Sequence, residues 1–130
     1  MKLLLDTHVI LWALEDSYRL PDYIKEMICD ENNEIYVSVA SLWEISLKHK
    51  KSPDKMIYSA INIRDYCQRA GYYFLSLSVD NISTFDSLNL SSHKDPFDQI
   101  LVSQSISNNM KLITHDELIK QYNVGFIELF

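Results

Sequence analysis

The chain has 130 residues, 47% of them apolar, and a net charge of −6, which sizes it for one domain (1–130) with a substantial core and excludes a disordered polar chain. The acidic balance argues against a protein that coats nucleic acid by bulk charge, but not against a nucleic-acid enzyme whose acids gather around a metal. The opening "MKLLL" is stopped by Asp6 and His8, too short for a signal peptide, and no window reaches the ~20 apolar residues of a membrane span. A cytoplasmic protein with no membrane partner is therefore expected.

In chain order, the pattern predicts a strand at 2–5, a helix at 7–15 and a helix from about 21 to 30 that opens on Pro21. A second strand, "EIYVSV", covers about 34–39 and a helix follows at 40–50. The stretch "IYSAINIRDYCQRA" reads as a helix from about 57 to 70 that stops at Gly71. A strand near 72–77, a short helix near 80–87 and a long helix from Pro96 to about 108 come next. Strand "KLIT", a helix near 115–122 and a last short strand in "GFIEL" complete the list. Only two glycines and three prolines are present, so the loops should be short. Continuously apolar strands alternating with helices indicate a mostly parallel sheet covered on both faces: an α/β fold built as a three-layer α/β/α sandwich.

In such sheets ligands sit beyond the carboxyl ends of the strands, and acids recur at that address. Asp6 follows strand 2–5. Glu44 lies a turn into the helix after strand 34–39, Asp95 and Asp98 open the long helix, and Asp116 follows "LIT". Each also has a structural explanation. Asp6 can cap the helix beginning at Thr7, while Ser41 to Glu44 and Thr114 to Glu117 both spell capping boxes. Asp95, Pro96 and Asp98 fit the first positions of a helix.

Two features favour a functional site. Glu44 stands among Leu42, Trp43, Ile45 and Leu47, where a lone carboxylate is costly to bury. Two carboxylates about 4 Å apart repel by roughly 4 kcal/mol at an effective dielectric of 20, so converging acids call for a cation, shared protons, or both. An all-oxygen site selects Mg²⁺ or Mn²⁺ over zinc. The chemistry that follows is metal-assisted hydrolysis of a phosphodiester, with no side-chain nucleophile needed.

Beyond these acids the sequence is less pointed. His8, His93 and His115 flank the acidic segments without zinc spacing. Lys48, Lys50, Lys51 and Lys94 can track phosphates beside the site or simply end solvated elements. Trp12 and Trp43 read as core residues rather than base-stacking platforms, and Cys29 and Cys67 as reduced thiols. Scarce glycine excludes a nucleophile elbow, a Walker loop and a dinucleotide fingerprint. An aspartyl-nucleophile phosphatase is disfavoured because Asp6-Thr7-His8 lacks the second acid two residues on.

"LLLDTHVILW", "SVASLWEISLKHKK", "HKDPFDQILVSQS" and "KLITHDE", in this order, make the chain resemble a PIN-domain ribonuclease of the VapC type, the toxin of a VapBC toxin–antitoxin pair. The resemblance implies an endoribonuclease with catalytic, metal-binding acids at Asp6, Glu44, Asp98 and Asp116. It implies support from Asp95, and from Thr114 and Thr7 as small hydroxyl residues; His93, just before "KDPFD", is a candidate substrate or supporting contact on its position alone. It further implies an RNA substrate, a cognate antitoxin whose tail enters the acidic site, and a homodimer. Gln99 follows "DPFD" where related toxins usually carry arginine. The contrasting expectation is a catalytically weak binding module whose acids are only caps.

Overall fold

The computed structural model describes residues 1–89, 95–116 and 127–130. The described elements are β1 (Lys2–Leu5), α1 (Thr7–Leu14), α2 (Asp22–Cys29), β2 (Glu34–Ser38), α3 (Val39–Lys51), α4 (Ala60–Ala70), β3 (Tyr73–Leu75), α5 (Val79–Ser87), α6 (Pro96–Ser107), β4 (Lys111–Thr114) and β5 (Ile127–Leu129).

The strands form one sheet in the order β3-β2-β1-β4-β5, and every neighbouring pair is parallel. β1 is therefore central, and its leucines serve both faces. Leu3 and Leu5 pack with Val9, Ile10, Ile24, Ile45 and Ile63 from α1, α2, α3 and α4. Leu4, pointing the opposite way, packs with Leu101 and Val102 of α6. All three leucines are fully buried, which explains why the strand reads as an unbroken apolar run and not an alternating one. The three-layer α/β/α sandwich expected from the sequence is present.

The strand order also locates the site. From β1 the chain steps outward to β2 and β3, then returns to build β4 on the other side of β1. Crossovers of one hand then place helices on one face for the outward steps and on the opposite face for the return. The reversal lies between β1 and β4, where the connections diverge and leave a crevice at the carboxyl ends.

Local chemistry sets most element ends. Ser38 caps α3 through a 3.1 Å bond from the Ala40 amide, so the helix starts at Val39 and Ser41 to Glu44 lies inside it without forming a capping box. α4 begins at Ala60 rather than at 57, because Ser59 and Asn62 form a reciprocal capping box. It ends at Gly71, whose φ of 80° suits a residue lacking Cβ. β3 is held to Tyr73–Leu75, where it pairs with β2. His115 and Asp116 are not helical, and the remainder of the helix expected at 115–122 lies outside the described residues, as does the Thr114 to Glu117 capping box.

Candidate active site

The crevice holds a cavity of about 310 Å³ whose lining includes Asp6, Glu44, Asp95, Asp98 and Asp116. All five acids picked out by position in the sequence thus reach one space from four segments of the chain. Asp6 arrives at the end of β1, Glu44 from the first turns of α3, Asp95 and Asp98 from the start of α6, and Asp116 from just beyond β4.

Asp6 and Glu44 form the inner pair, each 4% exposed. Asp6 is indeed the N-cap of α1, with Oδ1 accepting from the Thr7 amide at 2.6 Å. Its other oxygen accepts from Thr114 Oγ1 at 2.7 Å. Thr114 Oγ1 in turn accepts from the Asp116 amide at 3.0 Å, which leaves its own proton for Asp6. Thr114 therefore fastens the Asp6 carboxylate directly. Burial pushes the Asp6 carboxyl above its ordinary value of 3.8, and the Glu44 charge adds to that shift; Thr114, His8 and the Thr7 amide offset it only in part.

Glu44 is held from two sides. Thr7 Oγ1 donates to Oε1 at 2.7 Å and lies 3.0 Å from Ser41 Oγ. Lys48 Nζ, one turn along α3, pairs with Oε2 at 2.6 Å. Burial works against the Lys48 charge. The hydrogen bond and charge of Glu44, joined by Asp95 and Asp98, outweigh it and hold the ammonium above 10.5. Lys48 is thus a fixed positive charge at neutral pH, standing in the acidic cavity. At the cavity's outer edge Asp95 caps α6, accepting from the Phe97 amide at 2.9 Å, with Pro96 and Asp98 in the first turn as expected.

These donors suit a hard divalent ion in kind: all are carboxylate oxygens, and two are buried close enough for one to raise the proton affinity of the other. Among the described residues, no three His, Cys, Asp or Glu side chains stand gathered around one point as an ion would need. The inner carboxylates are instead turned toward Thr7, Thr114 and Lys48.

The remaining candidates divide. Thr7 lines the cavity and Lys48 enters it, but Lys50 and Lys51 are exposed near the end of α3 and do not line it. His93 and Lys94 lie outside the described residues. The cavity lining also includes His8, Trp12, Arg19 and His115. Arg19 carries no signal in the sequence, since it lies in the loop between α1 and α2.

Neither tryptophan is a plain core residue. Trp12 is half-buried, with part of its surface on the main core and part on the cavity. Trp43 is 61% exposed, because α3 turns Ala40, Ser41, Glu44 and Ile45 inward and leaves positions 43 and 47 on its outer side. It meets Phe97 edge-on at 5.5 Å, beside an apolar groove that also involves Val39, Leu77 and Ile100.

A protein-family model described as the PIN domain matches residues 3–125. The chain belongs to the PIN domain family. Solved structures with a similar fold include the VapBC2 complex of Rickettsia felis bound to a DNA fragment from its promoter. That match has 20% identity and a TM-score of 0.73, covering 99% of this chain and 98% of the other. VapBC-1 of nontypeable Haemophilus influenzae matches at 20% identity and a TM-score of 0.68, over 93% and 91% of the two chains. A toxin–antitoxin complex from Klebsiella pneumoniae matches at 19% identity and a TM-score of 0.62, over 97% and 95%. No curated protein matches the chain in sequence. In this PIN domain the five acids thus line one cavity at the carboxyl ends of the strands. No helix among the described residues is long and apolar enough to cross a membrane.

Proposed function

We propose that this PIN domain is a Mg²⁺- or Mn²⁺-dependent endoribonuclease, the cytoplasmic toxin of a VapBC-type toxin–antitoxin pair. The observation that carries the reading is the buried carboxylate pair Asp6 and Glu44, sharing one cavity with Asp95, Asp98 and Asp116. Five acids around one space are costly for a purely structural site and useful for a cationic one.

In this reading Asp6, Glu44, Asp98 and Asp116 hold the ion, with Asp95 in support. Once bound, the ion supplies Lewis acidity toward a phosphodiester oxygen and a more acidic attacking water. The chain's own residues prepare the site. Thr114 fixes Asp6 so that the carboxylate does not reorient, and Thr7 does the same for Glu44. Lys48, charged throughout the neutral range, stands in the same cavity beside Glu44, where its ammonium could also meet a substrate phosphate. The partners proposed from the family likeness are a cognate antitoxin and a second copy of this chain; the apolar groove beside Trp43 suits a partner chain.

A second reading, a catalytically weak module acting mainly through its antitoxin complex, draws on the Lys48–Glu44 pair, which already compensates one acid. Cleavage of transfer and ribosomal RNA by the antitoxin-free protein, with Mg²⁺, Mn²⁺ or EDTA and beside a folded Asp6→Asn variant, separates the two. The nuclease requires cleavage that depends on both metal and Asp6. A folded wild type that binds Mn²⁺ only as weakly as Asp6→Asn and cuts nothing leaves the binding module.

A further inference from the structure

The aromatic and basic part of the cavity lining has a chemistry of its own. His8 and Trp12 are one turn apart on α1, so their rings stand on the same side, stacked at 6.0 Å with 21° between planes. The Arg19 guanidinium lies 5.9 Å from the centre of the indole. His115, directly after β4, meets Trp12 edge-on at 5.7 Å. Its Nδ1 hydrogen-bonds the main-chain oxygen of Phe130, which can only accept, so the ring is held with Nδ1 as the donor. His8, Arg19 and His115 are exposed, while Trp12 is anchored on the core. The result is a cluster of flat π-surfaces, rigid at its base and open at its rim, that starts two residues from the Asp6 carboxylate.

We infer that this wall is a nucleobase-stacking subsite, which receives one unpaired base of the RNA strand next to the phosphate held at the acids. The inference rests on the nuclease reading above. Three features favour a base over other ligands. Aromatic rings and a guanidinium plane are the surfaces on which unpaired bases stack, whatever their identity. This wall sets the Arg19 guanidinium beside the aromatic rings, so the cavity as a whole matches a ligand with an aromatic part and an anionic part. A greasy peptide segment would find a better match in the groove beside Trp43, whose lining is almost wholly apolar. Bases within a duplex are already stacked, so the subsite selects single-stranded segments.

The chain has two tryptophans, so Trp43→Phe leaves Trp12 as the sole indole reporter. Adenosine monophosphate should quench its fluorescence saturably, and ribose 5-phosphate, which lacks the base, should not; equal responses would overturn the subsite. In cleavage of an RNA that the wild type cuts, Trp12→Leu should raise KM roughly tenfold with kcat close to wild type, and Trp12→Phe should recover most of the loss. An abasic nucleotide beside the cut should cost the wild type a similar factor and cost Trp12→Leu little more. An unchanged KM in a folded Trp12→Leu protein also sinks the inference. Arg19→Ala carries the same test if the leucine variant unfolds. Base-dependent quenching by a protein that cuts no RNA would leave the subsite standing while the nuclease reading falls.

Discussion

Lys48 Nζ stands 2.6 Å from Glu44 Oε2, one turn along the same helix, and its charge is also stabilised by Asp95 and Asp98. The side chain of Glu44 is buried and that of Lys48 is half exposed. The ammonium thus does for the metal-free protein what a divalent ion would do for the loaded one: it balances a carboxylate that cannot reach water. Two cations cannot share Glu44 at full strength, so ion binding and the Lys48 contact should compete.

Replacing Lys48 with methionine tests that competition. Glu44 keeps its Thr7 bond but loses its counter-charge, and the metal-free protein should lose about 1–2 kcal/mol; water reaching the site through the half-exposed Lys48 position limits the cost. Mn²⁺ should recover more stability in Lys48→Met than in the wild type, read as the rise in Tm on titration. An equal or smaller rise would mean that the ammonium does not stand in the ion's way.

Asp6→Asn should separate folding from function. The folded-state pKa of Asp6 is raised from 3.8, chiefly by burial. A carboxyl whose pKa rises on folding contributes stability that is fully present below about 3.8 and is lost as pH rises through the folded value. Above about pH 3.8 this raised pKa costs the metal-free wild type stability that the asparagine variant does not lose. The variant should unfold at the same temperature as the wild type or higher at pH 7, with the advantage shrinking toward pH 3, while RNA cleavage is lost. A large drop in Tm at neutral pH would contradict this account.

Thr114→Val removes the hydroxyl that donates to Asp6 and keeps the shape of the side chain. Thr114 is one of the groups that lower the Asp6 pKa, so its loss should move the acid limb of the cleavage pH profile upward. The Asp116 amide also loses its acceptor, and the protein should be destabilised by roughly 1–3 kcal/mol. Parallel pH–rate profiles for the two proteins would show that the Thr114 hydroxyl does not tune the acid.

Much of this protein is legible along the chain because its causes are local. The apolar run Leu3-Leu4-Leu5 announces a strand buried on both faces, and Asp95-Pro96 announces the start of α6. Misreadings arose where local signals competed. Ser41 to Glu44 looks like a helix start, but Ser38 already ends β2 and caps α3, so the helix begins before the motif. The apolar residues Ile57 and Tyr58 suggested an early start for α4, which the Ser59–Asn62 pair overrides. Lys48 reads on charge as a phosphate contact or a solvated helix end, while its four-residue spacing from Glu44 carries the pairing that the structure shows. Trp43 looked like core because its neighbours are apolar, yet the inward face of α3 is given to Ala40, Ser41, Glu44 and Ile45.

Most elements, the parallel α/β class and the acids that punctuate the carboxyl ends of the strands can be read from the chain alone. Each follows from residues a few positions apart, through periodicity, capping and the cost of burying charge. Which side chains share the cavity depends on contacts distant in sequence. The bond from Thr114 to Asp6 joins residues 108 apart in sequence and that from Thr7 to Glu44 joins residues 37 apart, while Arg19 and His115 meet over Trp12 from opposite ends of the chain. Such contacts depend on sheet order and on which face each helix turns inward. Both are set by packing across the whole core, where no short stretch of sequence carries the information.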